Sequence, residues 1–448
     1  MLHANDLNRD CGMAVEADDN YDILIVGGGL AGLSCAVSLL SGTGAANRAR
    51  EAPSVALLEW QERLGGRLYT CQVGDLEADA GAAWVHGVDG NPLIEDGWIT
   101  SEDLVASSAQ NIWLHGPAES DSCSFGRTEA DEGWETRLAA VGRSAAAASA
   151  LGRSLEDGLQ ESEAELGPMN DGERQRLRML EGWFGISADR IGLLEWDGDH
   201  GSMGDYPGAH CILKGGTRIL VERMEKEARL RGLKVFLGHE VLELEELEDG
   251  VLCRCHDRCF RAAWVVVTVS LGVLQSRGPR WLSLPERPLQ RLDMCHYNKL
   301  LLRVSEAAAE RFPVFTHLDS KYFWQLFNYW PLTRKPLLSL ASLALESEEL
   351  TELEAREMAC ELLHLEPHEI SAMHFTRWGQ IPWCHGSYSV SSKHAEWDDI
   401  RALLAATEGR RIKLAGEHTH EEHQGGFHAA YLSGLRAAQE VLRGVWIC

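Results

Sequence analysis

The chain has 448 residues, 45% hydrophobic and 25% charged, which is typical of a globular protein long enough for two interlaced domains. Its formal net charge of −26 argues against nucleic acid as a partner. The negative charge favours small cations, although it would equally serve solubility alone. We find no apolar run of membrane-spanning length, no secretory signal in residues 1–20 and no peroxisomal signal in residues 445–448. We therefore expect a cytoplasmic protein without membrane association, and its oligomeric state is left open.

The first elements predict a strand, a tight turn, a helix and a second strand. Residues 22–26 form an apolar run that ends at three glycines, as a buried parallel strand would. A helical pattern covers residues 30–40, and residues 54–59 form the next apolar run. This order is typical of a dinucleotide-binding βαβ unit.

The turn carries a phosphate-binding fingerprint. Gly27, Gly29 and Gly32 fit G-x-G-x-x-G, which allows a tight turn and brings backbone amides and a helix N-terminus to a pyrophosphate. Glu59 ends the second strand, where an acid accepts hydrogen bonds from a ribose 2′-hydroxyl. The RLGGR segment that follows ends at Arg67, which we expect to pair with the pyrophosphate.

The rest of the chain alternates between helical and strand patterns. Residues 98–199 are rich in acids and alanine, and the stretches 136–166 and 171–184 predict exposed helices of an inserted domain. The later elements are listed in chain order: helix 219–231, strands 234–237, 240–245, 263–269, 299–304 and 336–345, helices within 347–363, strand 412–415 and helix 427–443.

The cysteines do not predict a disulfide framework. Twelve are scattered along the chain without a secretory signal, which indicates reduced thiols. Cys253, Cys255, His256 and Cys259 have a spacing that metal sites use, but they lie in alternating, strand-like sequence and lack a fourth well-placed ligand. We interpret them as the two arms of a hairpin and predict no metal.

Motifs along nearly the whole chain resemble those of the flavin-containing amine oxidases, particularly polyamine oxidases and lysine-specific histone demethylases. Besides the glycine fingerprint, the matching segments are RLGGR at 63–67, DAGAAWVHG at 79–87, KGG at 214–216, NK at 298–299, TRWG at 376–379, GSYS at 386–389, GEHT at 416–419 and HAAYLSG at 428–434. The resemblance is weakest in the insert, at about 98–200.

The resemblance implies an α/β fold in which a Rossmann-like FAD-binding domain is interlaced with an α+β substrate-binding domain. The predicted FAD-binding blocks are residues 20–97, 208–295 and 375–448. Residues 98–207 form the helical insert of the substrate domain, and residues 296–374 its sheet and helices.

The resemblance also implies which residues contact noncovalent FAD. Glu417 would hydrogen-bond the ribityl chain, and Val241 would hold the adenine through its main chain. Backbone at Gly81, Ala82 and Trp84 would lie along the flavin ring, with Trp378 and Trp383 packed nearby. Ser387 stands where monoamine oxidases carry the cysteine that links FAD covalently, so we expect no covalent bond.

Three residues are the predicted catalytic group. Lys299 would hold a water that faces flavin N5, although a strand-end lysine is otherwise often exposed. Tyr388 matches one wall of the aromatic cage that positions the amine, and His86 matches a substrate-contacting histidine, although either could be structural. The second cage aromatic falls on Gly426, so one wall is missing or rebuilt.

The resemblance therefore implies an FAD-dependent amine oxidase, polyamine oxidase-like, with a small cationic amine and O₂ as its partners. Hydride transfer to flavin N5 and reoxidation by O₂ would release H₂O₂. Glu195 or Asp197 is a candidate ligand for a distal ammonium. The alternatives are an L-amino-acid oxidase, which needs an arginine in the pocket, a histone demethylase, which the length and charge disfavour, and a flavin-binding interaction protein without turnover.

Overall fold

The computed structural model describes residues 19–41, 53–107, 111–113, 129–145, 152–193, 206–318, 320, 322–342, 350–396 and 398–447. The strands are β1 (Asp19–Val26), β2 (Val55–Leu58), β3 (Thr70–Val73), β4 (Leu76–Asp79), β5 (Trp84–Val85), β6 (Leu104–Ala106), β7 (Asn111–Trp113), β8 (Cys211–Leu213), β9 (Lys234–Phe236), β10 (Glu243–Glu246), β11 (Val251–Arg254), β12 (Cys259–Val267), β13 (Leu292–Met294), β14 (Lys299–Val304), β15 (Phe315–His317), β16 (Phe323–Asn328), β17 (Leu337–Ser342), β18 (Ile370–Phe375), β19 (Ser389–Ser391) and β20 (Ile412–Leu414). The α-helices are α1 (Leu30–Ser41), α2 (Pro92–Glu95), α3 (Glu129–Ala145), α4 (Leu155–Leu166), α5 (Asp171–Phe184), α6 (Arg218–Leu230), α7 (Leu271–Trp281), α8 (Glu286–Arg291), α9 (Glu306–Ala309), α10 (Trp330–Thr333), α11 (Glu352–Leu363), α12 (Asp399–Ala405) and α13 (Phe427–Ile447). Short 3₁₀ turns cover Pro367–Glu369, Trp378–Gln380 and Glu417–Thr419.

The first sheet has the strand order β10-β11-β12-β1-β2-β9, with β20 also paired to β12. β1 pairs in parallel with β2 on one side and β12 on the other, and β20 extends the parallel part. Residues 23–26 are all buried, as the continuous apolar run predicts for a strand covered on both faces. Three distant chain segments therefore meet in one sheet, as the resemblance implies.

The two chain ends pack against each other on this sheet. In α1, the hydroxyl of Ser34 donates a hydrogen bond to the carbonyl of Tyr431 in α13, at 3.0 Å. A Cβ at Gly434 would lie 2.0 Å from the same hydroxyl oxygen, so only glycine allows this close approach. The C-terminal helix is thereby fixed directly beside the glycine turn.

The second sheet has the order β18-β14-β17-β16-β15-β7. Its strands are antiparallel except for the β15–β7 pair. The sheet buries an apolar core beneath α11 that includes Leu300, Leu340 and Phe375. The predicted strands 299–304 and 336–345 and the helix within 347–363 recur here as β14, β17 and α11, whereas the other four strands of this sheet were not predicted.

The insert is a packed helical unit, and the prediction of exposed helices was incomplete. Helices α3, α4 and α5 share a buried core that includes Val141, Leu155 and Phe184. The predicted stretch 136–166 contains two helices, because Ser154 starts α4 with a capping box to Asp157. The helices were predicted to be exposed because the sequence is rich in acidic residues, but an apolar stripe holds them together.

The cysteine-rich segment is a hairpin, as its alternation predicted. Cys253 of β11 pairs with Phe260 of β12, and Arg254 pairs with Cys259. The ring of His256 instead lies 3.1 Å from the carboxylate of Glu240. Within the described part of the chain, no group of three or more His, Cys, Asp or Glu side chains is arranged to hold a metal. No helix in that part is both long and apolar enough to cross a bilayer.

Candidate active site

A cavity of about 740 Å³ runs between the two sheets. We call its one end the glycine part, defined by lining residues Gly27, Gly29, Glu59, Arg67, Val241 and Glu417. We call its other end the aromatic part, defined by lining residues His86, Arg176, Trp183, Tyr297, His317, Trp324 and Tyr388. The volume lies in the range of small-molecule and cofactor sites.

The glycine turn opens onto the cavity where β1 ends and α1 begins. Gly27 has a φ of 108°, which L side chains rarely adopt, and a Cβ at Gly32 would lie 2.0 Å from the Gly27 carbonyl oxygen. At Gly29, by contrast, a Cβ would meet nothing within 4 Å. Gly27 and Gly32 therefore shape the turn, while Gly29 leaves room for an anion at the helix N-terminus.

Glu59 is held at the end of β2 by backbone amides. Its carboxylate accepts hydrogen bonds from Gly28 N at 2.7 Å and Gln61 N at 2.9 Å. Burial raises the pKa of Glu59, and these hydrogen bonds only partly oppose that effect. The side chain is thus fixed beside the glycine turn, where the sequence predicted a ribose contact.

Glu417, which is buried, and Arg67, which is partly buried, form an ion pair that sequence reasoning did not predict. Arg67 Nη1 lies 2.8 Å from Glu417 Oε1 and also donates to the carbonyl of Ser387 at 3.1 Å. Glu417 further accepts from Ser389 Oγ at 2.5 Å and from Gly425 N at 3.0 Å. The pair connects the first and last predicted FAD-binding blocks at the cavity wall. The roles assigned to the two residues toward FAD stay predictions.

Lys299 is buried, which rules out the alternative of an exposed strand-end lysine; its role toward the flavin stays a prediction. It is 7% exposed, and its Nζ donates to the carbonyls of Asp79 at 3.1 Å and Gly81 at 2.6 Å. Burial lowers its pKa to about 8, although the charge of Asp79 opposes the shift. Lys299 thus fixes the 79–81 segment, whose Gly81 and neighbouring Ala82 line the cavity.

Asp79 is a candidate functional residue. It begins the DAGAAWVHG segment, but sequence reasoning gave it no role. Its carboxylate accepts from Thr70 Oγ1 at 2.5 Å and from Thr217 N at 3.0 Å. Burial raises its pKa against those bonds. Because its carbonyl also accepts from Lys299, Asp79 links three chain segments below the cavity. Its place at the start of the DAGAAW motif was the available signal.

The predicted tryptophans line the cavity. Trp84 stacks on Phe315 with ring centroids 5.6 Å apart, which joins it to the second sheet. Trp378 and Trp383 meet edge to face at 5.8 Å. Together with Val241 they lie on the lining, as the predicted cofactor contacts require.

Tyr388 belongs to a cluster of four aromatic side chains. Its hydroxyl donates to the carbonyl of Trp183, and its ring centroid lies 6.2 Å from that of Tyr297. Tyr297 lies 6.4 Å from Trp324, which in turn lies 6.5 Å from Trp183. Sequence reasoning found only Tyr388, because the other three come from separate elements without a local motif.

The ring of His428 occupies the space beside Gly426, the position at which the resemblance expects the second cage aromatic. A Cβ at Gly426 would lie 2.6 Å from the His428 ring, which is 3% exposed. The ring also meets Tyr206 at 5.2 Å and His423 at 5.0 Å between centroids. Burial, aided by neighbouring histidines, lowers the pKa of His428 to about 3, so the ring is neutral at ordinary pH.

His86 lies on the same side of the aromatic part. Its ring centroid is 5.6 Å from that of His210, and both residues line the cavity. The structure therefore brings His86, Tyr388 and Lys299 to one cavity. Glu195 and Asp197 lie outside the described residues.

Comparison with known proteins identifies the family. The model of flavin containing amine oxidoreductases matches residues 137–442, and that of an NAD(P)-binding Rossmann-like domain matches residues 25–98. The chain belongs to the flavin-containing amine oxidoreductases. The recognition from sequence motifs is thereby confirmed, and so is the fold class: a Rossmann-like domain with an amine oxidase substrate domain. The boundaries of the five blocks stay predictions.

Relatives of this flavin-containing amine oxidoreductase include enzymes of two kinds. It is 26% identical to polyamine oxidase 3 of Oryza sativa subsp. japonica, over 93% of this chain and 88% of that protein. It is 29% identical to lysine-specific histone demethylase 1 homolog 2 of the same plant, over 94% of this chain but only 57% of that protein. The structure of wild-type putrescine oxidase bound to putrescine superposes with a TM-score of 0.74 at 18% identity, covering 95% of this chain and 99% of that chain. This last likeness shows the fold alone.

Proposed function

We propose that this chain is an FAD-dependent amine oxidase, polyamine oxidase-like in its scaffold, that holds FAD noncovalently. The observation that carries the proposal is one cavity that joins the glycine turn and Glu59 to buried Lys299 and Tyr388. Bound FAD would take a hydride from the carbon next to a neutral amine nitrogen and would be reoxidised by O₂ to give H₂O₂.

The glycine part fits the cofactor. Gly29 leaves open space at the start of α1, where amides and the helix dipole favour a pyrophosphate. Glu59 and Val241 line the end where an adenosine would lie, and Arg67 and Glu417 line the wall toward the aromatic part. We propose these residues as FAD contacts, together with Gly81, Ala82, Trp84, Trp378 and Trp383.

The aromatic part fits an amine. The faces of Tyr388 and Tyr297 accept both the charge and the apolar chain of such a substrate. His86 and the neutral His428 border the same space, and His428 adds hydrogen-bonding nitrogens without positive charge. We propose that these rings hold the amine nitrogen and exclude water, while Lys299 orients a water near the flavin.

One experiment tests the proposal. The purified protein is expected to carry a flavin spectrum or to acquire one with added FAD. Anaerobic mixing with a panel of diamines, polyamines, acetylated polyamines and amino acids should bleach the flavin with at least one of them, and air should then yield peroxide. A protein that binds FAD but stays oxidised with every amine would favour the interaction protein without turnover. A protein that never binds FAD would refute both.

The lining of the cavity is compatible with one alternative from the sequence analysis, an L-amino-acid oxidase. An L-amino-acid oxidase was expected to need an arginine in the pocket, and Arg176 lines the aromatic part. The polyamine alternative needs carboxylates for distal ammonium groups. Among the described lining residues the carboxylates are Glu59, Glu240 and Glu417, and none of them belongs to the aromatic part.

A further inference from the structure

We infer that Asp79 is a positioning residue for Lys299: its buried carboxylate holds the Nζ of Lys299 as a charged ammonium group at the wall of the cavity. The consequence for catalysis rests on the proposed function, because Lys299 belongs to the same site. The interaction between the two residues is a property of the folded chain, so it can be measured without FAD.

The charge of Lys299 decides what its nitrogen can offer to the cavity. Nζ donates hydrogen bonds to the carbonyls of Asp79 at 3.1 Å and Gly81 at 2.6 Å. A neutral amine has two N–H groups, so both would be used there and a lone pair would remain. An ammonium group has a third N–H. Because Lys299 lines the cavity, the charged form can also donate to a water or a cofactor atom there.

Burial works against the charged form. Lys299 is 7% exposed, and burial lowers its pKa to about 8. Two neighbours oppose this shift: first the negative charge of Asp79, and then Cys71. Burial raises the pKa of the Cys71 thiol to about 11, and burial also raises the pKa of Tyr329, which interacts electrostatically with Asp79. Both side chains are therefore neutral at ordinary pH, and among these groups the carboxylate of Asp79 supplies the countercharge.

The carboxylate of Asp79 is surrounded by donors, which favour its ionised form. Its Oδ1 accepts from Thr70 Oγ1 at 2.5 Å, from Thr217 N at 3.0 Å and from Thr217 Oγ1 at 3.1 Å. The short bond from the Thr70 hydroxyl has the length of a charge-assisted bond to a carboxylate. Burial raises the pKa of Asp79, and these donors together with the charge of Lys299 oppose the rise.

The chain makes room for this carboxylate at Gly216. Gly216 has a φ of 71°, and a Cβ there would lie 2.8 Å from both Asp79 Oδ1 and Thr70 Oγ1. Thr217, which follows it, is the donor to Asp79, and Lys299 binds the carbonyl of the same residue. Three segments that the sequence analysis quoted, at 79–87, 214–216 and 298–299, therefore meet around one buried pair of opposite charges.

The first test uses the flavin-free protein and follows the free energy of unfolding against pH. Wild type should gain stability relative to Lys299→Met from about pH 8 to about pH 10.4, where the unfolded chain holds the lysine proton more tightly. In Asp79→Asn the burial of Lys299 is no longer compensated, so the pKa of the lysine should fall further. The same difference, taken within the Asp79→Asn background, should therefore begin to rise about one pH unit or more lower.

Asp75→Asn is the matched control. Asp75 lies in the turn between β3 and β4, where its side chain is 72% exposed and pairs with Arg303 at 2.9 Å. Removing this charge should leave the start of the rise at about pH 8, because water screens an exposed carboxylate. Asp79→Glu keeps the buried charge, so its rise should start closer to that of wild type than the rise of Asp79→Asn.

The second test uses the holoenzyme and the amine of the panel that reduces the flavin fastest. The pH dependence of anaerobic flavin reduction near pH 8 should move down by about one unit or more in Asp79→Asn and should be lost in Lys299→Met. At about pH 8 the double variant should be no slower than the slower single variant, because both changes remove the same cation.

Each outcome decides. A rise that starts at the same pH in both backgrounds, or single effects that multiply in the double variant, would overturn the inference and leave the amine oxidase proposal standing. A shifted rise in a protein that never binds FAD would support the buried charge pair and refute the proposed function.

Wild type and Lys299→Met still decide if Asp79→Asn does not fold. Without the lysine charge, Asp79 should keep its proton to a higher pH. Wild type should then gain stability relative to Lys299→Met in a second, acidic range, as the pH rises through the pKa of Asp79. A difference that stays constant throughout that range would overturn the inference.

Discussion

Replacing Glu417 by glutamine removes a single charge where the first and last parts of the chain meet. Glu417 binds Arg67 at 2.8 Å and accepts from Ser389 Oγ and Gly425 N. Glutamine keeps the shape but places an NH₂ group among donors. Wherever the amide is oriented, it faces either the guanidinium of Arg67 or the amide N–H of Gly425, so one contact becomes repulsive.

The expected size of the effect follows from burial. The side chains of Arg67 and Glu417 are 22% and 5% exposed, so water replaces little of the lost interaction. Breaking a buried pair from one side destabilises by about 3–5 kcal/mol, and the partial exposure of Arg67 points to the lower end. We therefore expect about 3 kcal/mol less free energy of unfolding in the flavin-free variant. If Glu417 also contacts FAD, the dissociation constant should rise about 10- to 100-fold.

Urea unfolding and FAD titration measure the two effects separately. Glu165→Gln is the matched control, since its pair with Arg143 is about 60% exposed on both sides and should contribute less than about 0.5 kcal/mol. Burial favours a raised pKa for Glu417, but Arg67, His418 and Ser389 outweigh it and lower the pKa. The difference between wild type and Glu417→Gln should thus be full above about pH 4.3 and shrink as the pH falls through the lowered pKa. Equal stability of both proteins at pH 7 would refute the reasoning.

Three further predictions concern the glycine turn, Lys299 and the attachment of the flavin. Gly32→Ala should destabilise the flavin-free protein by about 1–3 kcal/mol, because the added Cβ meets the Gly27 carbonyl. Gly29→Ala should weaken only FAD binding, because a Cβ there meets nothing within 4 Å. Equal unfolding of both variants in urea would contradict this. As the pH rises from about 8 to about 10.4, wild type should gain free energy of unfolding relative to Lys299→Met. The reason is that, in this range, Lys299 is protonated to a greater extent in the unfolded chain than in the folded one. A difference in unfolding free energy that does not change with pH would count against the lowered pKa. Acid precipitation should release all flavin into the supernatant because Ser387 offers no thiol for a covalent bond, and flavin retained in the pellet would show otherwise.

The sequence was most informative where a local motif dictates local geometry. The run before Gly27, the glycine spacing and the acid at Glu59 each depend on neighbours within a few residues, and the structure has them as predicted. In the second sheet, periodicity predicted β14, β17 and helix α11, whereas the strands β7, β15, β16 and β18 were not predicted. Boundaries shifted where capping decided the start, as at Ser154.

The aromatic part could not be predicted in this way, because its residues converge from distant elements. Trp183, Tyr297 and Trp324 have no common motif, and only the packing of α5 on the second sheet brings them together. The composition of the insert suggested acids near the substrate, and the candidates Glu195 and Asp197 stay predictions, whereas Arg176, which lines the cavity, carried no sequence signal. Net charge describes the surface that a ligand meets first, whereas selectivity depends on the few side chains that remain after water is excluded. The side chains that line the cavity are therefore a better guide to the substrate than the net charge of the chain.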